Sequence, residues 1–214
     1  MDLAAYWPSL LSVFGASLIA FLSPGPNFVG IVSAAVASRA HGFAVALGCS
    51  IGTAFWSLMA VTGTTALLAL NPRVALAMQI LGGSYLMFLG FKSLRSSFAP
   101  SGPVLMTTGL AQSLWESFRK GLFIQVTNPK TALFWLSMVS VVILPKTPVL
   151  VCIILIAGTT CIALGWHSVL AVAFSHPRVS AGYVRRRKYI SFAFGFAFLA
   201  LGARLALGAL HGLV

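Results

Sequence analysis

Apolar residues fill this chain in six long runs, at about 8–36, 43–70, 74–94, 120–144, 149–173 and 189–210. A helix that crosses a bilayer needs about 20 mostly apolar residues, so each run predicts a membrane-spanning helix. The breaks between runs carry loop chemistry: Ser38-Arg39-Ala40-His41-Gly42, Asn71-Pro72-Arg73, Pro145-Lys146-Thr147-Pro148 and Ser175-His176-Pro177-Arg178. The longest connection, over about 95–119, has mixed polarity. It holds Pro100, Gly102 and Pro103 and ends in Trp115-Glu116-Ser117-Phe118, a stretch that reads as a short interfacial helix. The expected fold is an all-α integral membrane protein with six transmembrane helices in a single domain, 1–214. Its halves fall at about 1–95 and 119–214, joined by a connecting segment at 96–118.

Two of the six runs are themselves interrupted. Ser23-Pro24-Gly25-Pro26-Asn27 breaks the first and Asn128-Pro129-Lys130 breaks the fourth. Proline has no N–H to donate, so Pro24 and Pro26 deprive the carbonyls of Ala20 and Leu22, and Pro129 deprives that of Gln125. A freed carbonyl survives at membrane depth only where it is buried in protein or lines a wet cavity. Matching breaks in two halves are the best sequence pointer to a transporter's binding site.

Composition supports the membrane reading. Only 7% of residues are charged and 59% are hydrophobic, against roughly 25% charged in a soluble domain. The net charge of +12 comes from a near absence of acids, Asp2 and Glu116 alone. The bases lie between apolar runs, so nucleic acid is not the expected partner. The patch Arg185-Arg186-Arg187-Lys188 is expected to face anionic lipid. Arg39, Lys92, Arg95, Arg119, Lys120, Arg178, Arg185, Arg186, Arg187 and Lys188 fall on one side of the predicted topology, with only Arg73 and Lys146 on the other. Positive-inside bias then places both termini outside the cytoplasm. Three spans per half make the second half enter from the opposite face, which is an inverted repeat. The amino-terminal segment lacks the basic region of a signal peptide, so the first run is read as a retained span.

Few side chains inside the runs can do chemistry. Lys130 is a cation well inside a span, where insertion costs about 2.5–3.5 kcal/mol. No acid in any run can pair with it, leaving carbonyls, water or a ligand carboxylate as partners. Asn27 and Asn128 can cap the half-helices or hold a polar ligand, and half-helix N-termini favour anions. Gly25 adds backbone freedom between two prolines. Arg204 is a second cation in a span. His167, after Gly165-Trp166, could carry a proton. Gly48 and Gly52 form a GxxxG packing element. Cys49, Cys152 and Cys161 all lie in apolar runs without a Cys-x-x-Cys pair and read as inert thiols. No metal pattern, phosphate-binding loop, acid pair or nucleophile-and-base pair is visible. No metal, cofactor or enzymatic activity is therefore expected.

At these residues the chain resembles the lysine exporter and homoserine/threonine resistance family, the LysE/RhtB-type amino-acid exporters. The resemblance runs through Ser23-Pro24-Gly25-Pro26, Gly42, Gly48 and Gly52, and Gly82-Gly83-Ser84-Tyr85-Leu86 to Leu89-Gly90-Phe91-Lys92. It continues through Phe118-Arg119-Lys120-Gly121, Asn128-Pro129-Lys130 with Leu133-Phe134, and Gly195 to Gly202 with Arg204. Where such proteins often show Pro-Gln-Phe after span four, this chain reads Ser140-Val141-Val142-Ile143-Leu144-Pro145.

The resemblance implies secondary efflux of amino acids or close derivatives across the bacterial inner membrane. The lack of intramembrane acids favours a neutral substrate of the threonine, homoserine, leucine or cysteine kind over a basic one. The expected translocation site comprises Pro24, Gly25, Pro26, Asn27, Asn128, Pro129, Lys130 and Arg204, with His167 for proton coupling. Asn128-Pro129-Lys130 is expected to be the ligand-contacting half and Pro24-Gly25-Pro26 the hinge and cavity wall opposite. The expected partners are the amino acid and membrane lipid, and a homodimer stays open. Two other readings also stay open: an exporter of an inorganic ion or other small metabolite, and a non-transporting membrane assembly protein.

Overall fold

The computed structural model describes residues 3–70, 74–98, 113–139, 141–143 and 147–211, all helical or in short connections, with no strand among them. A 3₁₀ turn, Leu3–Tyr6, leads into α1 (Trp7–Leu22), followed by α2 (Pro26–Ala37), α3 (Arg39–Leu70) and α4 (Val74–Ser97). Then come α5 (Leu114–Val126), α6 (Pro129–Val139), α7 (Val149–Phe174) and α8 (Pro177–His211). Four helical stretches are long and apolar enough to cross a membrane: Ala4–Leu22, Arg39–Ala66, Val149–Phe174 and Lys188–Ala209. Pro26–Ala37 is a shorter apolar helix.

Proline starts helices as well as ending them. Pro26, Pro129 and Pro177 each open a helix, where the missing N–H has no partner to lose and the fixed φ suits the first turn. One sequence expectation is corrected at α5. Trp115 to Phe118 form no separate interfacial helix but the first turns of a helix reaching Val126. The cause is a reciprocal capping box: Ser113 Oγ accepts from the Glu116 N–H, and the Glu116 carboxylate accepts from the Ser113 N–H. A helix therefore begins at Leu114, inside the stretch read as a connection. The basic stretch Arg178–Lys188 is likewise the start of α8, not a loop. Pro100, Gly102, Pro103, Asn71-Pro72-Arg73, Pro145 and Lys146 lie outside the described residues.

Glycine lets two helix pairs touch backbone to backbone. A Cβ added to Gly48 of α3 would run into the Phe118 carbonyl of α5, and one on Gly121 into the Val45 carbonyl of α3. One added to Gly52 would sit 2.6 Å from Gln125 Cγ. Between α4 and α8, Gly83 faces Gly202 and Gly90 faces Gly195, with 2.8 Å and 2.7 Å from the added Cβ to the opposing carbonyl. Without a hydrophobic force between helices in lipid, such close van der Waals contact is what holds them together.

Two apolar clusters form the interior. One gathers Leu10, Val13, Val61, Leu86, Trp135, Val139, Leu155 and Phe198. The other gathers Phe28, Ile31, Val45, Cys49, Leu170 and Phe174. Along α3 the buried polar residues Ser50, Thr53 and Ser57 lie between Cys49 of the second cluster and Val61 of the first. Along α7, His167 lies between Leu155 and Leu170 in the same way. A polar layer thus separates the two clusters, and both chain breaks enter it.

Candidate functional site

The first break frees carbonyls that other helices then satisfy. The Ser23 N–H still reaches the Ile19 carbonyl at 3.1 Å. Pro24 has no N–H for Ala20, and the chain runs extended through Gly25 at φ −168° and ψ −172°. Lys130 Nζ, from α6, donates to the Ala20 carbonyl at 3.3 Å. Trp166 Nε1, from α7, donates to the Phe21 carbonyl at 3.0 Å. At the second break Trp56 Nε1, from α3, donates to the Gln125 carbonyl at 3.1 Å, the acceptor that Pro129 leaves without its helical N–H. Trp56 and Trp166 occupy matching positions along α3 and α7, counted from Arg39 and Val149.

Side-chain amides join the breaks to each other. Asn128 Nδ2 donates to Asn27 Oδ1 at 3.2 Å, and Asn27 Nδ2 donates to Gln125 Oε1. Gln125 Nε2 donates to Thr53 Oγ1 at 2.8 Å, and Thr53 in turn donates to the Cys49 carbonyl at 3.1 Å. Gln125 is wholly buried and is the hub of this chain of bonds. A buried amide network of this kind is stiff when satisfied and costly when one member is lost.

The half-helix N-termini are not alike. Asn128 Oδ1 accepts from the Lys130 N–H at 3.0 Å, so α6 starts capped by its own asparagine. Gly25 has no side chain, and α2 starts without a side-chain cap. The terminus open to an anion is therefore that of α2, the Pro-Gly-Pro side. Gly25 is extended, a conformation open to any residue, so the conformational freedom expected of it is not used. Space is the narrower consideration: an added Cβ would stand 3.7 Å from Lys130 Nζ.

Ala20, Phe21, Ser23, Gly25, Asn27, Phe28, Asn128, Lys130, Thr131, Phe134, Trp135 and His167 enclose a cavity of about 30 Å³. That is room for roughly one or two waters. Five of the residues singled out from sequence meet here: Gly25, Asn27, Asn128, Lys130 and His167. Pro24, Pro26 and Pro129 shape the breaks without lining the cavity, and Arg204 is exposed on α8, away from it.

The wall is positively biased. Lys130 Nζ stands 5.2 Å from the centre of the Phe198 ring. No acidic side chain lines the cavity. Of the chain's two acids, Glu116 sits at the start of α5 and Asp2 lies outside the described residues. The Trp135 indole N–H, buried in the same wall, has no hydrogen-bond partner among the described residues. His167 is 2% exposed, with its ring edge-on to Phe21 at 5.6 Å and Nδ1 3.0 Å from Ser50 Oγ. Ser50 commits its own proton to the Ala46 carbonyl at 2.8 Å. Ser50 must therefore accept, and His167 Nδ1 carries the hydrogen.

Sequence reasoning missed Gln125 as a hub, along with Thr53, Ser50, Trp135 and the two capping tryptophans. Gln125 gave one usable signal: a polar side chain in an otherwise apolar run near a break. No metal-binding group of His, Cys, Asp or Glu occurs among the described residues. Cys49 donates to the Gly121 carbonyl at 3.3 Å, and none of the three cysteines lines the cavity.

Residues 18–209 match the family described as LysE type translocator. The chain is 30% identical over 182 residues to the uncharacterized membrane protein YahN of Escherichia coli K12, covering 85% of this chain and 81% of that one. It is 29% identical over 194 residues to the threonine efflux protein of Salmonella typhimurium, covering 88% and 92%. It is 31% identical over 133 residues to the leucine efflux protein of Salmonella choleraesuis, covering 62% and 60%. No solved structure matches the chain.

Proposed function

The chain belongs to the LysE type translocator family, and we propose from that premise that it exports a neutral amino acid, of the threonine or leucine kind, across the bacterial inner membrane. The observation that carries this reading is the meeting of both helix breaks at one cavity, with the Lys130 ammonium in its wall and no acid beside it. A carboxylate is the natural ligand for an unpaired ammonium beside an open helix N-terminus. The threonine and leucine named for the relatives both have such a carboxylate, an α-ammonium and no charged side chain.

A cavity of about 30 Å³ is too small for an amino acid, so the state described is closed. Transport then requires the walls to part toward one side and afterwards the other. We read the chain as two inverted three-helix halves, α1–α4 and α5–α8, with α1/α2 and α5/α6 each forming one broken span. The exchange of tryptophan caps supports this. Trp56 of the first half caps the break in the second, and Trp166 of the second half caps the break in the first. Rocking of one half against the other gives alternating access around a fixed site. Both termini are proposed to lie outside the cytoplasm, from the charge bias of the loops.

A metal-ion route would require thiols or acids around the cavity, and its lining contains neither. The test is efflux from cells that overproduce the protein and have been preloaded with each amino acid in turn. The expected result is accelerated loss of threonine or leucine, abolished by Lys130→Ala with membrane abundance unchanged. Undiminished efflux in that variant would remove Lys130 from the site.

A further inference from the structure

We propose that His167 Nε2 receives the α-ammonium group of the substrate, so that one ring nitrogen takes either that ammonium or a proton. This rests on the amino-acid reading above and adds the second end of the ligand to it.

The argument begins at Ser50. Its hydroxyl proton is committed to the Ala46 carbonyl, so it holds His167 Nδ1 as N–H. In the neutral ring the lone pair is then on Nε2. That nitrogen has no hydrogen-bond partner among the described residues, although the ring is 2% exposed and lines the cavity. A ring nitrogen with a free lone pair on a residue that lines a cavity is open to a hydrogen-bond donor entering it. The opposite chemistry is supplied by Lys130, whose ammonium lines the same cavity. A zwitterion has one group for each: carboxylate for Lys130 and the α2 N-terminus, ammonium for His167. With a cationic wall and no acid, a neutral imidazole is the acceptor side chain that can receive an ammonium and later be switched off.

The switch is a proton. When a hydronium ion from the outer side gives its proton to Nε2, its O–H bond breaks, water leaves, an N–H bond forms on the ring and the hydrogen bond from the substrate ammonium breaks. Two cations cannot share the nitrogen, so the ammonium leaves outward. Loss of that proton to the cytoplasm restores the acceptor. The titratable and charged groups around His167 are few. α1 and α2 have none, and α6 presents Lys130. α3 presents Cys49, hydrogen-bonded to the Gly121 carbonyl. α8 presents Tyr183, packed on Phe28 and Phe174.

The experiment measures binding to the purified full-length protein by calorimetry. It uses two ligand pairs that differ by the amino group: L-threonine against 3-hydroxybutanoate, and L-leucine against 4-methylpentanoate. The wild type is expected to prefer the amino acid roughly tenfold or more, the scale of a hydrogen bond to a charged group. His167→Leu should erase that preference while still binding the deaminated acid. Undiminished preference in His167→Leu would overturn the ammonium site and leave the amino-acid reading standing. No binding of either amino acid to the wild type would overturn both. A second measurement is independent of that variant's folding. As the pH is lowered far enough to protonate the buried imidazole, the wild type should lose affinity for the amino acid but not for the deaminated acid. His167→Gln, with an amide oxygen at the same reach and no proton to gain, should bind the amino acid with a flat pH profile. A flat wild-type profile would overturn the proposal.

Discussion

Lys130 Nζ lies 3.3 Å from the carbonyl oxygen of Ala20, the acceptor that Pro24 deprives of its helical N–H. A defect in the first broken helix is thus repaired by the one cation in the cavity wall. This gives a double-mutant cycle. Lys130→Met should cost about 1–3 kcal/mol, because it leaves the Ala20 carbonyl unpaired. Pro24→Ala supplies an N–H that returns to that carbonyl only if Ser23 turns from its extended ψ of 130° into the helix, so the double variant should recover part of the loss. Thermal unfolding in detergent reads the coupling. Efflux should be absent in both Lys130→Met and the double variant, since restoring the helix does not restore the cation. Strict additivity of the two stability changes would show that Lys130 does not serve the Ala20 carbonyl.

The same logic applies to Gln125, at the centre of the amide chain. Gln125→Leu keeps the volume but leaves Asn27 Nδ2 and Thr53 Oγ1 without the partners they have now. The expected loss is about 1–3 kcal/mol, since Asn27 Nδ2 loses its acceptor while Thr53 keeps its bond to the Cys49 carbonyl. Thr53→Val made in the Gln125→Leu background should cost less than in the wild type, because its bond to Gln125 is already gone. Tm differences across the four proteins check this.

Glycine substitutions should divide sharply by place. A Cβ on Gly202 would meet the Gly83 carbonyl at 2.5 Å, and one on Gly90 the Gly195 carbonyl at 2.7 Å. Backbone cannot give way as a side-chain tip can, so Gly202→Ala and Gly90→Ala should each lower folded yield in the membrane. Gly15 and Gly165 meet nothing within 4 Å. Alanine there should be neutral, or stabilising by about 0.5–1 kcal/mol from the helix preference over glycine. Fluorescence-detected gel filtration of the four variants separates the two groups. Equal behaviour would mean that α4 and α8 do not meet as described.

The parts of the site that were legible in the sequence are the parts whose chemistry is local. Proline's missing N–H marks its own neighbour's carbonyl, so the breaks at Pro24 to Pro26 and at Pro129 could be read without a fold. A lysine in an apolar run announces a cost wherever it points. Gln125 was different: a single amide in a helix does not say which of its neighbours across space it will bind. Asn128 was expected either to cap its half-helix or to hold a polar ligand, and its side-chain oxygen caps the N–H of Lys130. That depends on a rotamer, not on residue type. Arg204 shows the same limit, because charge does not reveal which face of α8 a residue takes. The start of α5 was missed although Ser113 and Glu116 have capping-box spacing. The glycine, proline, serine and threonine just ahead of Ser113 have loop chemistry that masks the cap.

Trp56 and Trp166 give the test of how the two halves are related. Each donates one indole N–H to a carbonyl at the break of the other half, at 3.1 Å and 3.0 Å. Phenylalanine in place of either keeps most of the ring contact and removes that bond. Trp56→Phe and Trp166→Phe should therefore cost similar stability, about 0.5–1.5 kcal/mol each. Trp7→Phe, at a residue 47% exposed, should cost less. In an inverted arrangement the two caps brace opposite ends of the same rocking motion, so their losses should bias access in opposite directions. A cysteine introduced by Gly25→Cys, with the three native cysteines replaced by alanine, reports this, since a Cβ is accommodated there at 3.7 Å from Lys130 Nζ. Labelled from each side of sealed vesicles with a membrane-impermeant thiol reagent, it should react faster from one side with Trp56→Phe and from the other with Trp166→Phe. Shifts in the same direction would contradict the inverted repeat, because two caps on one side of the motion cannot be related by a two-fold axis in the membrane plane.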